Sequence, residues 1–286
     1  MPPRDVILVL LVILAWGSNF TAMKIGLAEL PPFLFVGLRF IILLPLLAVL
    51  PRPNVAWWKI FAVGALINMG QFAFLFAAMR ADVTAGLASL LLQAQAPLTI
   101  ILSAVFLGER VRIIQTLGIA LAVAGLVVFA LGAGGNLTRM GLGLVMGGAL
   151  CWACGNLVLK GLKGTSMLAV FIWASLVPPL PMLALSLAVE GPAPLATVAA
   201  LSLQGWIAVV YVALISTVLG YSLWGALLAR HRAADVTPFA LLIPVVGIAT
   251  SGLVLGERLT GIEVIGAMII LTGLALAVVG PRIWRA

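Results

Sequence analysis

The sequence predicts an all-α integral membrane protein, with ten transmembrane helices arranged as two inverted five-helix repeats. Three observations predict it. Of the 286 residues, 64% are hydrophobic and only 8% charged, where a soluble domain carries about 25% charge. So few charges cannot build a water-facing surface, so lipid is the solvent for most of it. Apolar runs long enough to span a bilayer recur along the whole chain. Finally, two tetrapeptides occur twice in the same order. Ala81-Asp82-Val83-Thr84 and Leu107-Gly108-Glu109-Arg110 bracket an apolar run containing Pro97; Ala234-Asp235-Val236-Thr237 and Leu255-Gly256-Glu257-Arg258 bracket one containing Pro244. That is an internal repeat.

Split at charged or Gly/Pro-rich breaks, the chain yields ten apolar runs of about 18–25 residues: 5–27, 33–50, 57–79, 84–107, 111–131, 141–162, 167–188, 204–229, 236–256 and 260–280. The first follows Arg4 in the manner of a signal peptide. It continues to Ile25 with no small-x-small cleavage site, so it reads as a retained helix. The second carries Arg39 about two turns in. The third carries Asn68 and Gln71, and the fourth Ser89, Gln93 and Pro97. The fifth places Gly118, Gly125 and Gly132 on one face for close helix contact. The sixth repeats the first: Leu150-Cys151-Trp152 and Lys160 match Leu14-Ala15-Trp16 and Lys24 at an offset of 136. Its Cys151 and Cys154 lie in an apolar run with no basic neighbour, and read as small helix residues rather than a redox pair. The seventh ends before the longest loop, near Glu190 to Gln204, which is too small for a domain. The eighth carries Thr217, Tyr221 and Trp224 on one stripe. The ninth carries Pro244, and the tenth repeats the fifth through Gly266, Gly273 and Gly280 at an offset of 148.

Five spans per half is an odd number, so the second repeat enters the membrane from the opposite side. The expected units are 1–135 and 139–286. Inverted repeats are the architecture of secondary transporters, with substrate near the midplane. Ten spans leave both termini on one side. That side collects Arg4, Arg52, Lys59, Arg110, Arg112, Lys160, Lys163, Arg230, Arg232, Arg282 and Arg285; the other collects only Lys24, Arg39, Arg80, Arg139 and Arg258. The positive-inside rule then makes the termini cytoplasmic. The net charge of +8 is spread between the apolar runs and forms no nucleic-acid face.

With these features the chain resembles the drug/metabolite transporter superfamily, specifically the bacterial ten-span EamA-type exporters and, among their branches, the amino-acid exporters of the YddG type. The residues that carry the resemblance are the Trp-rich first span of each half and the paired fourth spans, each with an internal proline and a terminal Gly-Glu-Arg. The resemblance covers essentially the whole chain. It implies an inner-membrane carrier exporting amino acids or related metabolites. It also implies a central cavity lined by the first, third and fourth helices of each half.

Polar side chains at membrane depth are costly and therefore informative. Asn19, Asn68, Gln71, Ser89, Gln93, Trp152, Asn156, Tyr221 and Trp224 are the expected substrate-binding residues, set against the alternative that they only join helices by hydrogen bonds. Pro97 and Pro244 withhold N–H groups from the carbonyls of Gln93 and Ala240, and are the expected hinges, or else static kinks. Lys24 and Lys160 lie near helix ends, where snorkelling is expected. Arg39 facing lipid would cost about 2.5–3.5 kcal/mol or more, so it faces protein or the cavity mouth, as an anchor or a carboxylate-binding group. All eight acids fall at or near helix ends, so no mid-span carboxylate serves cation binding or simple proton coupling. Glu109-Arg110 and Glu257-Arg258 are expected to anchor helix ends.

A neutral polar cavity with aromatic walls suits a zwitterion, because its opposite charges need no countercharge. The leading expectation is a secondary transporter exporting neutral or aromatic amino acids and related small metabolites by alternating access. The alternatives are a cationic drug exporter, or a lipid translocase or accessory membrane subunit. No enzyme, metal or cofactor is expected, since the lone His231 lies in a basic loop without a nucleophile or ligand set.

Overall fold

The computed structural model describes residues 1–132, 137–162, 164–231 and 233–283. The expected repeat boundary at 135, and Lys163, Arg232 and Arg285 from the charge count, lie outside the described residues, as does the side chain of Arg282. Among the described residues the regular structure is entirely helical. The helices of six residues or more are α1 Pro3–Gly26, α2 Pro32–Ala48, α3 Trp57–Ala81, α4 Ala85–Leu107, α5 Ile113–Gly132, α6 Arg139–Lys160, α7 Met167–Ala174, α8 Pro179–Val189, α9 Pro194–Ala199, α10 Leu203–Arg230, α11 Thr237–Leu255 and α12 Gly261–Ile283. Seven of them (α1, α3, α4, α6, α10, α11 and α12) are long and apolar enough to cross a membrane, so the chain is a multi-pass membrane protein. The apolar pair α7 and α8 is bent by 43° where Pro178 and Pro179 remove successive N–H donors. The sequence reading had one straight run there. α2 is a shorter apolar helix, as is the stretch Ile113–Phe129 of α5. In α2 the α-helical part stops at Ile41 and continues as a 3-10 turn, Leu44–Ala48, because Pro45 gives no hydrogen bond to the Ile41 carbonyl.

Small residues set the helix contacts, as expected where lipid leaves no hydrophobic drive between helices. α5 and α12 pack antiparallel along their length. A methyl group on Gly118 would collide with the backbone of Ala277, and one on Gly273 with that of Ala122; the expected glycine faces of the fifth and tenth runs meet each other. α1 runs through the centre, against α11, α10 and α4. The first half of α4 lies on α11, where Gly86 meets Ser251 and Gly247 meets Ser89. The second half, Gln95–Leu107, turns onto α6 instead.

One end of the bundle is tied by acids that cap helix N-termini on other helices, supplying acceptors to N–H groups that no helix satisfies for itself. Glu190 accepts from Phe33 and Leu34 at the start of α2 (2.7 and 3.1 Å). Glu257 accepts from Ala85 and Gly86 at the start of α4 (2.9 and 3.0 Å). Asp82 accepts from the Thr138 N–H before α6 (2.7 Å), and Glu29 from Ser202 before α10 (2.8 Å). The other end holds Asp5 paired with Arg230 (3.1 Å) and His231 (2.6 Å), and Glu109 paired with Lys160 (2.7 Å). In both Leu-Gly-Glu-Arg blocks the glycine is a left-handed C-cap, Gly108 at φ 64° and Gly256 at φ 69°, which is the reason the block carries glycine there.

Candidate functional site

Four of the crossing helices break their α-helical pattern in the membrane. α4 passes through a 3-10 turn at Leu92–Ala94, and α11 begins with one at Thr237–Leu242, each just before its proline. α3 and α10 each contain a π-helical stretch, Gly64–Gln71 and Tyr211–Leu219. The π turns occupy matching places in the two halves. They widen the helix by one residue and leave carbonyls poorly matched, a feature that concentrates at functional sites. The Ser216 carbonyl accepts a bond from the Trp16 indole (2.9 Å), and the Thr217 hydroxyl donates to the Val212 carbonyl five residues back (3.3 Å).

Around the π stretch of α10 lies an aromatic cluster. The Trp16 ring stands 5.4 Å from Tyr221 and 5.3 Å from Trp224, and Tyr221 stacks on Phe171 at 3.9 Å. Gly220 permits this, since any side chain there would collide with the Trp16 indole nitrogen. Trp16, Tyr221 and Trp224 are only half-buried. Trp152 and Asn156, also half-buried, lie one turn apart on α6; the Asn156 amide donates to Gln95 Oε1 (2.9 Å) and Thr99 Oγ1 (3.1 Å) of α4.

Deeper polar groups are enclosed. The Asn68 amide donates to the Phe171 carbonyl (3.1 Å). Asn19 and Gln71 are buried with their side-chain oxygens unpartnered. Arg39 is 3% exposed. Its Nη2 donates to Thr217 Oγ1 (2.9 Å), and its guanidinium lies over the Phe72 ring at 3.9 Å and 5.2 Å from Phe40. Its Nε and Nη1 have no partner among the described residues. Tyr221 is near enough to interact with it electrostatically.

The structure thus brings Tyr221 and Trp224 to Trp16, and Asn68 and Arg39 to the same neighbourhood through Phe171, Thr217 and Tyr221. It separates the residues expected along one stripe of α4. Ser89 packs against Gly247 of α11. Pro97 lines an apolar crevice with Ala122, Leu126, Ile270 and Leu274 of α5 and α12. Gln93 lies in the 3-10 turn, 7% exposed. A 3-10 turn advances about 120° per residue rather than 100°, so an i+4 stripe cannot be extended through it; Gln95 and Thr99 are the residues that reach α6. Trp16, Gln95 and Thr99 were missed as site candidates, and only the mate of Trp152 in the other half signalled Trp16. Lys24 does not reach for lipid headgroups but donates to the Met79 (2.5 Å) and Val83 (3.3 Å) carbonyls at the end of α3. Lys160 docks on Glu109 and Ser103 (2.8 Å). Cys151 and Cys154 are free thiols, and Cys151 packs against Gly70 in the π stretch of α3.

A profile of the EamA-like transporter family matches the chain twice, over residues 4–131 and 139–279. A protein of Escherichia coli strain K12 named "Probable amino-acid metabolite efflux pump" is 39% identical over 293 residues, covering 100% of this chain and 98% of that one. A Streptantibioticus cattleyicolor protein named "Probable terminal-alkyne amino-acid exporter" is 26% identical, covering 93% of this chain and 90% of its own. A solved crystal structure aligns over 100% of both chains with a TM-score of 0.67 and 21% identity, a likeness of fold.

Proposed function

The chain belongs to the EamA-like transporter family, and on that premise we propose that it is a secondary transporter exporting neutral and aromatic amino acids and related small metabolites across the bacterial inner membrane by alternating access. The observation that carries the substrate class is the half-buried cluster of Trp16, Tyr221 and Trp224, which the Asn68 amide reaches through Phe171. Aromatic walls receive an apolar side chain, and the polar groups around them match the polar head of an amino acid. The names of the two relatives agree with this class. The substrate face is Trp16, Trp152, Asn156, Tyr221 and Trp224 with Gln95 and Thr99; Asn19, Asn68, Gln71 and Gln93 supply buried amides around it. Ser89 belongs to the contact between α4 and α11 in this conformation and joins the substrate face when those helices part.

The finer architecture belongs to the same proposal. Ten crossings follow if the bent pair and the shorter α2 and α5 each span. Two inverted units, 1–135 and 139–286, are supported by the matching π stretches, the left-handed Gly108 and Gly256, and the glycine faces of α5 and α12. The termini are cytoplasmic by the distribution of basic residues. With α4 and α11 packed at the Glu257 end and parted beyond Pro97, the conformation is then open toward the cytoplasm. Pro97 and Pro244 mark the flexing points.

Proteoliposomes holding the purified protein, loaded with labelled phenylalanine and other neutral amino acids, test the reading. Efflux is expected, and Asn156→Ala and Gln93→Ala proteins that fold are expected to lose about tenfold or more of it. Failure of every amino acid to move, with a quaternary ammonium cation or a lipid moving instead, overturns it.

A further inference from the structure

Arg39 differs from the other paired cations of the chain. Lys24, Arg80, Lys160 and Arg230 all dock at helix ends, on carbonyls or carboxylates. Arg39 lies in the body of α2, 3% exposed, with no carboxylate within ion-pair distance among the described residues. Its contacts fix its plane without neutralising its charge. Phe72 supports one face of the guanidinium at 3.9 Å, and Thr217 takes one N–H at 2.9 Å. Nε and Nη1 are left with no acceptor. A buried charge is normally paired, so an orientated but unpaired guanidinium is a prepared position for an anion, and its planar set of donors matches a carboxylate best. Beside Phe72 in the chain, Gln71 Oε1 is buried and has no donor among the described residues, and Asn19 Oδ1 on α1 is a second such acceptor. A zwitterion offers both missing halves, a carboxylate for the arginine and an ammonium for amide oxygens.

We infer that Arg39 is the carboxylate receptor of the substrate site, and that it restricts the cargo to solutes with a free carboxylate. The inference rests on the transport reading above and narrows it: amino acids are carried in preference to their amides and to the corresponding amines. The guanidinium is enclosed in this conformation and is reached when α2 and the π stretch of α10 part, as alternating access requires of a midplane site.

The test uses the reconstituted full-length protein and three solutes with the same aromatic side chain: phenylalanine, phenylalaninamide and phenethylamine. Each is measured as labelled cargo and as competitor. In the wild type, phenylalanine is expected to be preferred over both others by about tenfold or more, the worth of a charge-assisted hydrogen bond. Arg39→Met is expected to abolish that preference, and Arg39→Lys to retain part of it. An anchor that only holds helices together would depress all three solutes by one factor, and that result overturns the inference. So does a wild type that accepts the amide as well as the acid, a measurement that needs no variant and decides the matter if Arg39→Met does not fold. Failure of the wild type to move any of the three is a different result: it overturns the transport reading itself, and the role of Arg39 falls with it.

Discussion

Glu29 shows how much of this fold is held by single acceptors. It sits in the turn after α1 and receives the Ser202 hydroxyl (2.5 Å) and the Ser202 N–H (2.8 Å). The Ser202 hydroxyl, then the backbone N–H groups of Ser202 and Gly205, hold its carboxyl below the usual value of 4.5, against a smaller opposing effect of burial. A carboxylate with a depressed folded pKa contributes stability above its unfolded pKa and loses it as pH falls through the folded one. The thermal midpoint in detergent should therefore fall on acidification from about pH 5 to about pH 3. Glu29→Gln should start lower at pH 7 and converge on the wild type at the acid end; parallel curves would contradict this. At this scale the sequence was informative about position and poor about partners. All the acids were read at helix ends, which is where they lie. That Glu190 serves α2 and Glu257 serves α4 depends on which helix starts face them across the bundle, and no spacing within the chain encodes that. Asn156 was legible as a site candidate, but Gln95 and Thr99 were not, because the 3-10 turn at Leu92–Ala94 rotates the face they occupy.

Among elements, the start of α4 is the informative case. Its first two N–H groups are satisfied by Glu257 from the loop between α11 and α12, so the cap holds the helix and also holds α4 to α11 at that end. Glu257→Ala should cost about 1 kcal/mol, the usual worth of a cap, seen as a lower melting temperature. The same change should lengthen the distance between spin labels on the first turn of α4 and the last turn of α11. An unchanged distance would mean that the cap does not close this end. Pro97 and Pro244 read as hinges or kinks because a missing N–H is visible in any sequence, and a 3-10 turn lies just before each. The π stretches were not announced. One inserted residue leaves composition and hydropathy unchanged, and the only trace is the polar residues they carry, Asn68 and Gln71 in one and Ser216 and Thr217 in the other. The bend between α7 and α8 was legible in principle from Pro178 and Pro179, but the apolar run continued through them.

For the whole molecule, the fold class was legible because the choice of solvent dominates it: with 8% charged residues only lipid will do, and in lipid a single chain of this pattern forms helices. The repeat was legible because a C-capping glycine, Gly108 and Gly256, recurs with its neighbours in order, although the glutamates after them differ in use: Glu257 caps α4 and Glu109 pairs with Lys160. The orientation rests on charge and is testable in cells. In a chain lacking Cys151 and Cys154, a membrane-impermeant maleimide applied from outside should label Pro192→Cys in the loop after α8 and spare Asn54→Cys in the loop after α2. The reverse pattern would invert the topology. The site was less legible than the fold, because a cavity is defined by which helices stand apart, and that is set by close contacts elsewhere in the bundle.

One such contact constrains how the molecule works. α5 and α12 meet through glycines whose faces have no room for a methyl group, from Ile114 against Gly280 to Phe129 against Gly266. A helix advances about 1.5 Å per residue, so even a one-residue slip along this line would set side chains where only hydrogen atoms fit. The pair therefore behaves as a spine with a fixed joint, and the two halves of the chain are not free to swing past each other as independent rigid blocks. On the proposed mechanism, flexure is then expected within the helices of the candidate site, where α4 and α11 already depart from α-helical geometry beside Pro97 and Pro244.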